Sequence, residues 1–370
     1  MDLAAQLSRP LEVLTVNSGS SSLKLRVISD DDRVVEGADL AAGDTGALSG
    51  VLHDLPPFDA VAHRFVHGGR LADHDLLDAG ALEAVAAAAV IAPLHTDLAL
   101  ACARELLRLR PDLPQVACLD TAFHASLPEA AATYAIPREW RERHGVRRSG
   151  FHGLSHASAS RRAAELLSRP IGALRIVVCH LGAGASLAAV RDGRAVDTTM
   201  GFTPLAGLVM ATRSGSVDPG ALVLLVERAG GPEAVRDALE HRSGLLGLSE
   251  RSGDMRQVLA AADHGDARAR LAIEVYVHRL RAGIAAMAVA MDGVDAIVFT
   301  GGVGENAPRV RAAVCERLGF LGVELDAVPN EQAAGDARID SAGARTAVLV
   351  LTAREELQMA AETRALLARA

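Results

Sequence analysis

One local pattern, used twice, constrains the fold more than anything else in the chain. Leu11 to Val16 (LEVLTV) is a short apolar, β-branched run with the character of a strand. The small-residue turn NSGSSS follows, and then a second strand in which Leu23, Leu25 and Val27 alternate with Lys24 and Arg26. The arrangement returns at Leu174 to Cys179 (LRIVVC), which leads through HLGAGAS into another strand, with Asp192-Gly193 as the next hairpin turn. Gly19 and Gly182 mark the two equivalent turns. Two strand–turn–strand openings, each followed by alternating helices and strands, predict two related α/β domains.

The remaining elements fit that frame. Asp59–Val66, Pro114–Leu119, Ala296–Thr300 and Thr346–Leu351 are expected strands. Ala79–Ile91, Thr96–Arg110, about 308–318 and Arg354–Ala368 are expected helices, with Asn306 as an N-cap and Pro308 in the first turn. Residues 30–58 suggest edge strands and loops. Pro219–Met291 suggests helices interrupted by a Gly/Ser-rich loop at Ser243–Gly253.

Composition excludes several classes. The 370 residues are 50% hydrophobic and 23% charged, which excludes a disordered or collagen-like chain. A net charge of −8 disfavours bulk nucleic-acid binding. Four scattered cysteines with no CxxC pair argue against a disulfide framework or zinc ribbon, and suit a reducing, cytoplasmic setting. The longest apolar stretches, Ala84–Leu94 and Ala282–Met291, are shorter than the ~20 residues that span a bilayer, so no membrane association is expected. The first dozen residues lack the apolar core of a signal peptide. Only one of the 38 basic residues, Lys24, is a lysine, and the rest are arginine. A lysine kept under such a bias is a candidate for work that a planar guanidinium cannot do.

Three small-residue turns each follow a strand: NSGSSS, HLGAGAS and GGVGEN. Such turns let backbone N–H groups surround phosphate oxygens, yet none is a Walker A or a complete dinucleotide fingerprint. His, Arg and Asp recur in HRFVHGG, DTAFH and GFHGLSH. His152 and His156 lie four apart, but no Glu follows His152 and Gly153 is a poor helix former, so a zinc helix is not expected. Arg213, among small residues in ATRSGSVDP, suits an anion clamp.

Taken together, NSGSSSLK, HRFVHGG, APLH, DTAFH, GFHGLSH, CHLGAGAS, GFTPLAG, TRSGSVDP and GGVGEN resemble, in order and over nearly the whole chain, the motifs of the acetate kinase family. The resemblance implies two actin-like (ribonuclease H-like) α/β domains with a nucleotide cleft between them. The first would be 1–149, with 355–370 packing back on it, and the second 150–354. It implies reversible phosphoryl transfer from MgATP to acetate, giving acetyl phosphate and ADP, by a cytoplasmic homodimer that dimerises through the second domain. Mg²⁺ would be the metal, with Mn²⁺ as a substitute. Alternatives are a propionate or butyrate kinase of the same fold, or a non-catalytic nucleotide-switched binding protein of the actin or Hsp70 kind.

Site roles follow from the same resemblance. Arg64, Asp120, His152 and Arg213 would be catalytic. Asn17 and Glu355 would serve the metal. Ser20, Ser22 and Lys24, then His180, Leu181, Gly182, Ala183 and Gly184, then Asp254, Met255 and Arg256, then Gly301, Gly302, Val303, Gly304, Glu305 and Asn306 would bind nucleotide. Arg64, Val66, Leu94, Phe151 and Pro204 would receive the acyl group. Ala183 stands where the family commonly has Asn, Ala185 where it has Ser, and Arg354 where it has Asn. A carboxylate nucleophile is already ionised at neutral pH, so Asp120 is expected to orient Arg64 or the metal rather than abstract a proton.

Overall fold

The computed structural model describes residues 11–19, 22–91 and 93–369. The chain forms two compact units. One comprises residues up to 125, 151–158 and 354 onward, and the other comprises 126–150 and 159–353. Each is built on a six-stranded sheet.

In the first unit the strands are β1 (Val13–Ser18), β2 (Ser22–Ile28), β3 (Val34–Ala41), β4 (Ala60–Phe65), β5 (Asp75–Leu76) and β6 (Gln115–Leu119). Their order is β3-β2-β1-β4-β6-β5. β1 is antiparallel to β2 but parallel to β4, and β4 is parallel to β6. The second unit repeats this plan with β7 (Arg175–Leu181), β8 (Ala185–Arg191), β9 (Arg194–Thr198), β10 (Ala296–Thr300), β11 (Ala337–Arg338) and β12 (Ala347–Val350). Their order is β11-β12-β10-β7-β8-β9. The two turns marked by Gly19 and Gly182 thus join corresponding strand pairs. Asp192 and Gly193, at φ 54° and 77°, turn β8 into β9 in the left-handed pair that a tight hairpin requires.

Burial on both faces explains the continuous apolar run of β1. Val13 packs with Ala60, Ala62, Val116, Met359 and Leu367 on one face, where the C-terminal helix Glu355–Leu367 lies. Leu14 and Val16 pack with Leu25, Val61 and Leu106 on the other. That second face also takes Leu48 from a helix, Leu48–Asp54, inside the stretch expected to hold only edge strands and loops. Gly50 within it and Gly46 just before it hide its helical period, and the burial of Leu48 compensates for the poor propensity of Gly50. The helix Gly244–Ser249 likewise interrupts the loop expected at Ser243–Gly253. Gly301–Asn306 is itself a short helix, so Asn306 does not cap the next one. That helix, Pro308–Cys315, begins after Ala307, and the Asn306 side chain instead donates to the Gly302 carbonyl at 3.0 Å.

Candidate active site

In the first unit the chemistry gathers at the carboxyl ends of three adjacent parallel strands, where open α/β sheets present their ligand sites. Asn17 lies near the end of β1, Arg64 near the end of β4, and Asp120 follows β6 directly. Asp120 is held there by its backbone N–H, which donates to the Phe65 carbonyl at 2.9 Å. The Arg64 guanidinium is the hub. Its Nε and one Nη donate to the two Asp120 carboxylate oxygens at 3.2 and 2.8 Å. The other Nη donates to Asn17 Oδ1 at 3.1 Å and to Glu355 Oε2 at 2.6 Å. Asn17 is oriented by chemistry. Its oxygen must face the arginine, and its nitrogen must face the acidic residues, donating to Glu355 at 3.3 Å and Glu356 at 3.2 Å. The Asp120 side chain is 1% exposed, Arg64 15% and Glu355 13%, so solvent screens these charges weakly. Burial opposes the charged form of Arg64, but Asp120 and then Glu355 outweigh it and hold the guanidinium above its ordinary value. Burial pushes the Asp120 carboxyl up, while the Arg64 charge and a hydrogen bond from the His152 backbone oppose the rise.

The GFHGLSH segment braces this cluster. His152 adopts φ 56°, an uncommon left-handed conformation for a non-glycine residue, which marks stored strain. Gly153 then donates its N–H to the Asp120 carbonyl at 2.9 Å. A Cβ at Gly153 would collide with that carbonyl oxygen and stand 2.9 Å from the Phe123 Cβ, so only glycine permits this approach. Beneath it, the buried His124 Nε2–H donates to the Phe151 carbonyl at 3.0 Å. Burial drives the His124 pKa down to about 4, only partly offset by that carbonyl. His67 packs against Phe151 with the ring planes tilted by 53° and centroids 5.9 Å apart.

The second unit places its small-residue loops at the matching strand ends. Gly182–Gly184 turns β7 into β8, the Gly182 N–H donating to the Gly184 carbonyl at 2.9 Å. The Ala183 carbonyl accepts from the Ala211 N–H at 3.1 Å. After β10, Gly301 takes φ 77°, where a Cβ would stand 2.9 Å from the Leu181 carbonyl oxygen. Glu305 Oε1 accepts the N–H groups of both Gly301 and Ala353 at 3.0 Å. Behind this short helix the buried Arg311 donates to the Gly304 carbonyl at 2.8 Å, the Glu305 carbonyl at 2.7 Å and both oxygens of Asn330. Arg213 is different in kind from Arg64. Its side chain donates to the Pro204 carbonyl at 2.7 Å, and burial, opposed by the Glu240 charge, lowers its pKa. Arg213 takes part in no carboxylate ion pair among the described residues.

The sequence model of the acetokinase family matches residues 44–361. The acetate kinase of Thermotoga maritima is 42% identical over 96% of this chain and 98% of its own length. That of a Synechococcus strain is 49% identical over 81% of this chain and 74% of its own. The chain belongs to the acetokinase family. Its fold agrees. The acetate kinase of Porphyromonas gingivalis superposes with a TM-score of 0.89 at 35% identity, covering 96% of this chain and 100% of that one. A propionate kinase from Francisella tularensis gives 0.88 at 35% identity, covering 95% and 98%. The paired sheets are therefore the two actin-like α/β units of this family.

For an acetokinase family member, the residues singled out from sequence are distributed as follows. Asn17, Arg64, Asp120, His152 and Glu355 meet in one cluster of the first unit. Phe151 is buried beside it and Val66 half-buried. Lys24 is exposed on β2 directly opposite Asn17, with Ser22 half-buried nearby. Ser20 lies outside the described residues, as does the Leu94 side chain. Pro204, Arg213, His180–Gly184 and Gly301–Asn306 belong to the second unit. So do Asp254–Arg256, where Asp254 caps its helix and pairs with Arg256 at 2.6 Å while Met255 is buried. Sequence reasoning read Glu356 only as a favourable carboxylate at a helix start and passed over Arg311 and Asn330. The adjacent acid at a helix start could have flagged Glu356. Arg311 is unmarked by sequence because it acts on backbone carbonyls.

Proposed function

We propose that the chain transfers the terminal phosphoryl group of MgATP to acetate, reversibly, giving acetyl phosphate and ADP. The observation that carries this reading is the Arg64 cluster. It is a guanidinium fixed in orientation by a buried carboxylate, at the carboxyl ends of parallel strands, in a family of carboxylate kinases. An acetate oxygen attacks the γ-phosphorus, an O–P bond forms, and the bond to the ADP oxygen breaks. No proton need move, so the work is orientation and charge stabilisation. Asp120 holds the Arg64 plane, Arg64 receives the acceptor carboxylate, and Arg213 stabilises the transferring phosphoryl group. His152, fixed in its strained conformation, adds a donor. The turn at 182–184 and the short helix at 301–306 offer backbone groups to the nucleotide.

Asn17, Glu355 and Glu356 would hold the metal. Their donors are hard oxygens, and the carboxylates of Asp120, Glu355 and Glu356 gather around Arg64, which suits Mg²⁺ completed by phosphate oxygens and water. Bound there, the ion supplies positive charge to the phosphates. Val66, Phe151 and Pro204 favour a small acyl group, but one methylene is worth only about 1–3 kcal/mol, so propionate is a second substrate to test. The propionate kinase relative, as similar in fold as the acetate kinase one, favours including it.

The homodimer is supported by the helix Pro219–Arg228 of the second unit, which buries none of its residues while exposing Val223, Leu224, Leu225 and Val226. A second copy would cover this apolar patch. A cytoplasmic setting is supported by four free, buried cysteines. No helix among the described residues is long and apolar enough to cross a membrane.

The test is trapping of acyl phosphate as hydroxamate, with MgATP and acetate, propionate or butyrate. Acetate-dependent product that collapses in Arg213→Ala supports the reading. Folded, ATP-binding protein that phosphorylates no acid refutes it.

A further inference from the structure

We propose that the Arg64–Glu355 ion pair is an internal substitute for the divalent cation, and that its exchange couples metal binding to capture of the acceptor carboxylate. This rests on the reading above. A guanidinium carries five N–H groups, and four hydrogen bonds already occupy Arg64. Asp120 takes the Nε edge with both its oxygens, and its burial makes that fork the fixed anchor. The remaining edge, between the two terminal nitrogens, is the one that could grip an external carboxylate with two parallel bonds. Half of that edge is committed. The Nη that does not touch Asp120 donates to Asn17 at 3.1 Å and to Glu355 at 2.6 Å.

The same contact competes with the other ligand. One Glu355 oxygen, Oε2, accepts both from Arg64, at 2.6 Å, and from Asn17 Nδ2, at 3.3 Å. So while the Arg64 contact lasts, Oε2 is committed to the protein and Arg64 cannot offer its full fork. Glu355, with Glu356 adjacent on the same amide, would hold the cation, whose charge would replace that of Arg64 at the carboxylate and weaken the ion pair. Arg64, still forked on Asp120, would then present the freed N–H in place to an acceptor that approaches its outer edge. Because coupling between two sites is reciprocal, the acceptor must tighten the metal by the factor by which the metal tightens the acceptor.

The experiment is calorimetric titration of the full chain, without nucleotide, at fixed ionic strength. Acetate is titrated with and without Mg²⁺, and Mg²⁺ with and without acetate. The expected result is at least about fivefold tighter acetate binding with Mg²⁺, and the same factor in the reverse titration. Glu355→Gln, which removes the ion pair, should raise metal-free acetate affinity and bring the factor toward one. Glu355→Asp, which keeps the charge but shortens the reach, should also raise metal-free acetate affinity while still binding Mg²⁺. Acetate and Mg²⁺ that both bind wild-type protein, but independently, overturn the exchange and leave the kinase reading standing. Undiminished coupling in both variants overturns it as well. Acetate that binds under no condition, together with no hydroxamate product, overturns both.

Discussion

Replacing Gly153 with alanine tests whether the chain's tightest approach to Asp120 matters for chemistry. The added Cβ would stand 3.1 Å from the Asp120 carbonyl carbon, closer still to its oxygen, and 2.9 Å from the Phe123 Cβ. Ordinary contact needs ~3.5 Å or more, so the peptide must retreat by about 1 Å and stretch the 2.9 Å hydrogen bond between the Gly153 N–H and the Asp120 carbonyl. Overpacking of this kind costs about 1–3 kcal/mol, and the helix propensity gained over glycine returns only about 0.5–1. The net loss, about 1–2 kcal/mol, lowers Tm by about 2–8 °C for a unit of this size. Function should suffer more. Asp120 aims Arg64, and a displacement near 1 Å at a reacting centre costs on the order of 100-fold in kcat/KM. Gly172→Ala, where the Cβ meets nothing within 4 Å, is the control. Acyl phosphate formation and thermal unfolding are measured on all three proteins. Gly153→Ala with kcat/KM within threefold of wild type would refute the idea that this approach positions the carboxylate.

Further outcomes follow from other residues. His63 and His124 are held by burial to pKa values of about 4, whereas the unfolded chain takes up these protons near pH 6.5. Their contribution to stability is therefore complete above pH 6.5 and is lost as pH falls toward 4, by about 1.4 kcal/mol per pH unit for each. Urea unfolding at pH 7 and pH 5 should show the drop, and a flat profile would contradict it. Arg213→Lys should lower kcat by at least about 100-fold with little change in Tm, because an ammonium cannot replace a planar fork beside a phosphoryl group. Wild-type turnover would remove Arg213 from the proposed site. Arg311→Lys should cost about 2–5 kcal/mol in urea unfolding, since it strips carbonyl partners deep in the second unit. Light scattering should give twice the chain mass, and a stable monomer would refute the covered Pro219–Arg228 face.

Much of the fold could be read from the sequence because its strongest elements carry their signal locally. The continuous apolar runs of β1 and β7 follow from burial on both faces, and the Asp192-Gly193 turn from its backbone conformation. The helix Leu48–Asp54 was hidden because Gly50 inside it contradicts a role that packing with Val16 and Leu25 supports. Asn17, Arg64, Asp120 and Glu355 could be named individually from motifs, but their mutual bonding spans 338 positions between Asn17 and Glu355 and is set by topology. Glu356, read only as a helix-start carboxylate, and Arg311 were given no site role for a related reason. One gains its meaning from an amide far away in sequence, the other from main-chain oxygens that any residue could supply.

Lys24 has a practical consequence. It is the single lysine of the chain, exposed on β2 and in register with Asn17 on the neighbouring β1. Apart from the terminal amine, an amine-directed dye therefore has one destination, a strand's width from the residue that joins Arg64 to the acidic pair. Coupling there yields an optical reporter without introducing a new cysteine. Its emission, followed during additions of acetate, Mg²⁺ or nucleotide, would give occupancy of the neighbouring groups in real time.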